Sequence, residues 1–92
     1  MSNTIDTYRK QIDEIDNLIA TLFNDRMALC ERIGIEKKKG STSVLVKGRE
    51  EEILSRVTKL VDSKFESSTT KLFETVFEIS RNLQEKLWKK LL

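Results

Sequence analysis

TIDTYRKQIDEIDNLIATLFNDRMALCERIGIEKKK, residues 4–39, carries the pattern from which the fold follows. Its apolar positions run Ile5, Tyr8, Ile12, Ile15, Ile19 and Leu22, then skip to Leu29 and Ile33, in alternating steps of three and four. That alternation is the seam of a helix packed lengthwise against others. The slot that the apolar series skips holds Arg26. A guanidinium keeps its proton, so an inward-facing arginine needs an anion beside it. The protein could supply that anion itself, through Glu50, or a ligand could.

Outward from this stretch, the ends are marked. Asn3 or Thr4 can cap the helix, Asp6 lies in its first turn, and Gly40 supplies a stop after Lys39. Gly34 falls inside and weakens the helix slightly without ending the periodicity. Residues 40–47 carry no helical pattern and read as a loop. A second helix is predicted over about 48–62, with Ile53, Leu54, Val57, Leu60 and Val61 on its apolar face. The Ser- and Thr-rich turn at 62–70 leads to a third, over about 68–91. That helix carries Leu72, Phe73, Val76, Phe77, Leu83, Leu87, Trp88 and Leu91 inward. The chain therefore reads as one all-α domain over 1–92: three helices, the first very long.

The lengths do not match. The first helix should span roughly 54 Å, the other two only about 20 and 36 Å. Two short helices cannot cover the seam of a long one, and a second copy of the chain is the simplest cover. The expected assembly is an intertwined helical homodimer. A long coiled coil is the alternative, but a strict seam does not account for three helices of unequal length.

Composition narrows the chemistry. The 92 residues include 17 Lys+Arg, 15 Asp+Glu, no Pro and no His, for a net charge of +2. So weak a surplus does not suggest a nucleic-acid binder. Without His there is no imidazole base and no Ser-His or Cys-His nucleophile pair. The lone Cys30 excludes an internal disulfide and a Cys-based zinc site, and reads as a small buried hydrophobe beside the seam. MSNTIDTYRK lacks an apolar signal core, and no stretch reaches membrane-spanning length. A cytoplasmic protein without membrane contact is the default expectation.

Several polar residues lie on apolar faces. Lys37 follows Arg26 by eleven positions, which returns it to within roughly 20° of the same face, about 16 Å along the helix. Glu50 precedes Ile53 by three residues and Val57 by seven, so it lies on the apolar side of the second helix, with Arg49 at its border. Ser80 and Gln84 are four apart and in line with Phe77 and Leu87. Arg9 sits about 100° round from Arg26, cannot share its exact face, and could serve a site on another subunit. Each has an ordinary reading alone: a solvated lysine, a back-bonded serine, a helix-packing glutamine, a surface arginine. Together they hold more positive than negative charge, and fit a pocket for a small dianion carrying a hydroxyl.

The ordered set resembles a known family. Arg9-x2-Ile12-Asp13-x-Ile15-Asp16-x2-Ile19-x2-Leu22-x3-Arg26, followed by Ile33-Gly34-x2-Lys37, Arg49-Glu50 and Ser80-x3-Gln84, is similar to the all-α class of chorismate mutases. The likeness covers nearly the whole chain. It implies an intertwined dimer of three-helix chains and an isomerase of aromatic amino-acid (phenylalanine and tyrosine) biosynthesis. The implied reaction is the pericyclic rearrangement of chorismate to prephenate, with no metal, cofactor or covalent intermediate. By the same resemblance, Arg26 and the partner chain's Arg9 grip the two carboxylates. Lys37 and Gln84 donate to the ether oxygen, Glu50 accepts from the ring hydroxyl, Ser80 helps at a carboxylate, and Arg49 lines the site. Val46 departs from the pattern, since the family often has a polar or acidic residue there; an apolar one can offer only its backbone N–H. Isochorismate–pyruvate lyase chemistry on the same scaffold is the enzymatic alternative, against which Glu50 and Gln84 argue. A non-catalytic dimerisation or effector-binding module is the other.

Overall fold

The computed structural model describes residues 3–40 and 47–90. Among these, three α-helices and two short 3-10 turns account for the secondary structure: α1 Thr4–Lys39, α2 Lys47–Val57 and α3 Glu66–Lys90. The expected all-α, three-helix architecture is present. The loop reading at 40–47, and Val46 with it, falls largely outside the described residues.

Local chemistry sets the ends. Asn3 is the N-cap of α1: its side-chain oxygen accepts from the Asp6 N–H at 2.7 Å, satisfying one of the helix's orphan donors. Gly40 closes the other end by donating its N–H to the Glu36 carbonyl. Its φ of −87° makes no use of glycine's left-handed freedom. α2 is shorter than its apolar pattern suggested. It stops at Val57 and gives way to a 3-10 turn, Thr58–Leu60, where the Thr58 hydroxyl bonds back to the Leu54 carbonyl. Leu60, placed on the apolar face from periodicity, is 77% exposed for that reason. A second 3-10 turn, Ser63–Phe65, starts α3 two residues earlier than expected.

α3 is the middle element. It packs against α1 on one side and α2 on the other, while α1 and α2 do not pack directly on each other. The buried apolar core is small: Ile53 and Val57 of α2 against Phe77 of α3, flanked by Leu54 and Phe73. Leu72, expected inward, is exposed.

A ladder of side-chain hydrogen bonds joins α1 to α3. Arg26 Nη1 donates to Ser80 Oγ at 2.9 Å, Gln84 Nε2 to the Cys30 carbonyl at 2.8 Å, and Trp88 Nε1 to the Gly34 carbonyl at 2.7 Å. The sequence separation is 54 at every rung, so the two helices run parallel and in register at four-residue steps. Gly34 is what lets them approach. A Cβ there would stand 3.0 Å from Gln84 Cγ, within a side chain held at both ends. The glycine read from sequence as a mild helix weakness is a close-packing point.

The N-terminal half of α1 is bare. Ile5, Tyr8, Ile12, Ile15, Ile19 and Leu22 are each 53–63% exposed. The Cα envelope measures 59 × 27 × 14 Å, with a radius of gyration of 17.0 Å. A globular chain of this length would have about 12 Å.

Candidate active site

Because α3 separates α1 from α2, the two outer helices form opposite walls of a cleft with α3 as its floor. The cavity there has a volume of about 570 Å³. α1 contributes Arg26, Leu29, Cys30, Ile33 and Lys37; α2 contributes Arg49, Glu50 and Ile53; α3 contributes Phe77, Ser80, Arg81 and Gln84. The size suits a small organic ligand, and a mostly apolar lining with a few convergent polar groups is usual for such sites. Four cations and one carboxylate line it, an excess of positive charge suited to a ligand with more than one anionic group.

Arg26 is held from two sides. Its guanidinium lies 5.8 Å from the centroid of the Phe77 ring and donates to Ser80 Oγ. The Ser80 hydroxyl in turn donates to the Val76 carbonyl at 2.8 Å, which sets its lone pairs toward the arginine. Cys30 Sγ is 3.7 Å from Arg26 Nη1 and 3.6 Å from Ser80 Oγ, so the thiol belongs to the cavity wall. The reading of Cys30 as simple core is corrected accordingly. Among the described residues no carboxylate forms an ion pair with Arg26, and Glu50 pairs elsewhere. Of the two anions open to Arg26 in the sequence, the protein's own is already engaged.

Gln84 is 5% exposed, the one buried polar side chain among the described residues. Donation to the Cys30 carbonyl identifies which end of its amide is nitrogen, because an amide oxygen carries no hydrogen to donate. One N–H is spent on this packing bond; the amide nitrogen carries a second. Arg49 lines the cavity and also pairs with Glu52 at 2.9 Å, one turn along α2, where both side chains are over half exposed. A pair so exposed adds little stability but restricts where the guanidinium points.

Six of the residues singled out from sequence thus meet in one cleft: Arg26, Lys37, Arg49, Glu50, Ser80 and Gln84. Two do not. Arg9 precedes Arg26 by 17 residues on a continuous helix, about 26 Å along the axis, and cannot reach its own chain's cavity. Val46 lies outside the described residues. One participant went unread: Arg81, whose Nη1 pairs with Glu50 Oε2 at 2.5 Å across α2 and α3. It follows Phe77 by four residues and precedes Gln84 by three, the same stripe, so periodicity could have found it. Its apolar neighbours Phe77 and Leu83 drew the pattern instead.

No group of His, Cys, Asp and Glu among the described residues could hold a metal ion, and no helix is long and apolar enough to cross a membrane. No solved structure matches the chain. Over 52 residues, 56% of its length, the chain is 42% identical to a bifunctional chorismate mutase/prephenate dehydratase of Aquifex aeolicus (strain VF5). The matched stretch spans 14% of that relative. A family model, chorismate mutase type II, matches residues 8–85, which takes in α2, nearly all of α1 and α3 through Glu85. The residues that line the cleft, from Arg26 to Gln84, all lie within that match, and the chain belongs to the chorismate mutase type II family.

Proposed function

We propose that the chain is a chorismate mutase, rearranging chorismate to prephenate in a site built by two copies of itself. One observation carries the reading: in a chain of this family, Arg26, Lys37, Arg49, Glu50, Ser80 and Gln84 line a single cleft with a surplus of positive charge. Chorismate is a dianion with a ring hydroxyl and an ether oxygen, and the cleft has a group for each.

The reaction breaks the ether C–O bond and forms a C–C bond within one molecule, with electrons shifting round a ring. No proton is transferred, which suits a site without histidine. What remains for the protein is to hold the compact conformer and to meet the charge that grows on the ether oxygen. Arg26, preset by Ser80 and Phe77, takes one carboxylate. Binding the flexible substrate folded removes an entropic share of the barrier. Lys37, and the N–H of Gln84 not used on Cys30, donate to the ether oxygen. Donors aimed at developing charge in a water-poor site act chiefly on the transition state. Glu50 accepts from the ring hydroxyl, and Arg49 closes the α2 wall.

Arg9 takes the second carboxylate from the other copy. Two facts support this: its distance from its own cavity, and the exposed apolar row Ile5, Tyr8, Ile12, Ile15, Ile19 and Leu22 around it. A row of that size is normally covered in a soluble protein. Loss of chorismate's ultraviolet absorbance on adding purified protein tests the activity. Absence of any loss above the uncatalysed rate overturns it.

A further inference from the structure

We propose that Arg81 is a positioning residue of this site: its ion pair holds the Glu50 carboxylate at the cleft, with an oxygen left open to accept the substrate's hydroxyl. The inference rests on the chorismate mutase reading above. Glu50 lies in the first turn of α2, on a helix that is not packed against α1. Its flexible side chain shares the cleft with Arg26, Lys37 and Arg49. Left to itself, the carboxylate could fold onto any of these and cancel charge the ligand needs. Arg81 prevents that from the floor. Its backbone is held between Phe77 and Gln84, which are 4% and 5% exposed, so the guanidinium starts from one of the best-anchored turns of α3.

The pairing leaves the carboxylate usable. Arg81 Nη1 engages Oε2, an ionised carboxylate offers about four acceptor sites, and among the described residues no donor takes Oε1. Both side chains are about a quarter to a third exposed, 25% for Glu50 and 32% for Arg81, so the pair stands at the edge of the cleft rather than sealed beneath it. A long side chain already held in its working geometry loses less freedom when the substrate arrives. Arg26 meanwhile is directed to Ser80 instead of Glu50. One arginine is matched to the protein's carboxylate, and the other is turned toward the ligand.

The test is a double-mutant cycle read as KM and kcat for chorismate, with thermal unfolding of every variant. R81M keeps the aliphatic stem and removes the charge; R81Q is a second neutral variant should R81M fail to fold. The hydroxyl contact exists in ground and transition states alike, so the neutral variant should raise KM about 10-fold and lower kcat less than about 3-fold. R81K should bring KM back to within about 3-fold of wild type. In an E50Q background, R81M should change KM by less than about 2-fold, because its route to the substrate is already cut. Wild-type KM and kcat in folded R81M overturn the proposal. So does an equal KM penalty in the presence and absence of Glu50, which would mean that Arg81 meets the ligand directly. An inactive wild-type chain overturns the chorismate mutase reading itself, and this inference with it.

Discussion

The two halves of α1 obey one sequence rule and meet opposite fates. From Ile5 to Leu22 the apolar row faces solvent, each of its six side chains named above more than half exposed. From Arg26 to Lys38 the helix is pressed against α3. Yet the second half does not pack through the seam either: Leu29 and Ile33 are 55% and 49% exposed. It packs through the adjacent stripe, Arg26, Cys30 and Gly34, by the ladder to Ser80, Gln84 and Trp88. The chain uses a polar, small-residue stripe for its own tertiary contact, lines the cleft with Leu29 and Ile33, and leaves the apolar row from Ile5 to Leu22 for something else. A second copy, with the same seam, is the occupant we propose.

The largest expected effect breaks the first half. Ile12→Asp with Ile19→Asp is nearly neutral in an isolated chain, within about 0.5 kcal/mol per exposed site. In a subunit interface each buried charge costs several kcal/mol. The double variant should therefore run as a monomer in light scattering and lose all turnover. A dimeric, active variant would remove the seam from the interface.

The second half is broken at the chemistry by Lys37→Ala. Loss of a donor to the ether oxygen should lower kcat by about 10²–10³, or about 3–4 kcal/mol, with the melting temperature and oligomeric state unchanged. Normal turnover would show that another group meets that charge.

The link between the halves is tested by mixing. Arg9→Ala and Arg26→Ala chains should each bind chorismate poorly. Refolded together at equal amounts, random pairing leaves one intact site in half of the dimers, about a quarter of wild-type activity. No recovery would place Arg9 outside the site.

The smallest effect sharpens the ladder. Gly34→Ala brings a methyl against Gln84, at about 1–3 kcal/mol of overpacking, offset by up to about 1 kcal/mol from helix propensity. Thermal melting should show a net fall of several degrees, and a rise would mean that the ladder has slack.

Much of the site was legible because helical periodicity places residues on faces. Arg26, Lys37, Glu50, Ser80 and Gln84 stood out as polar groups in apolar rows, and each lines the cleft. Arg81 obeys the same arithmetic but was lost among apolar neighbours, since a long cation at a stripe's edge looks like surface until its partner is seen. Gly34 was misjudged for a related reason: propensity counts what a glycine costs its own helix, not what its missing Cβ allows the next one. The early end of α2 follows from the Thr58 back-bond, a local competition that periodicity does not register.

Three helices, the excess length of the first and the set of polar groups turned inward all follow from spacing along one chain. Packing in three dimensions settles which stripe of α1 meets α3, that Glu50 answers to Arg81 rather than Arg26, and that Cys30 belongs to the cavity wall. Those outcomes depend on how close two backbones come, and on which side chains are near enough to bond across the gap. Spacing along a single helix carries neither.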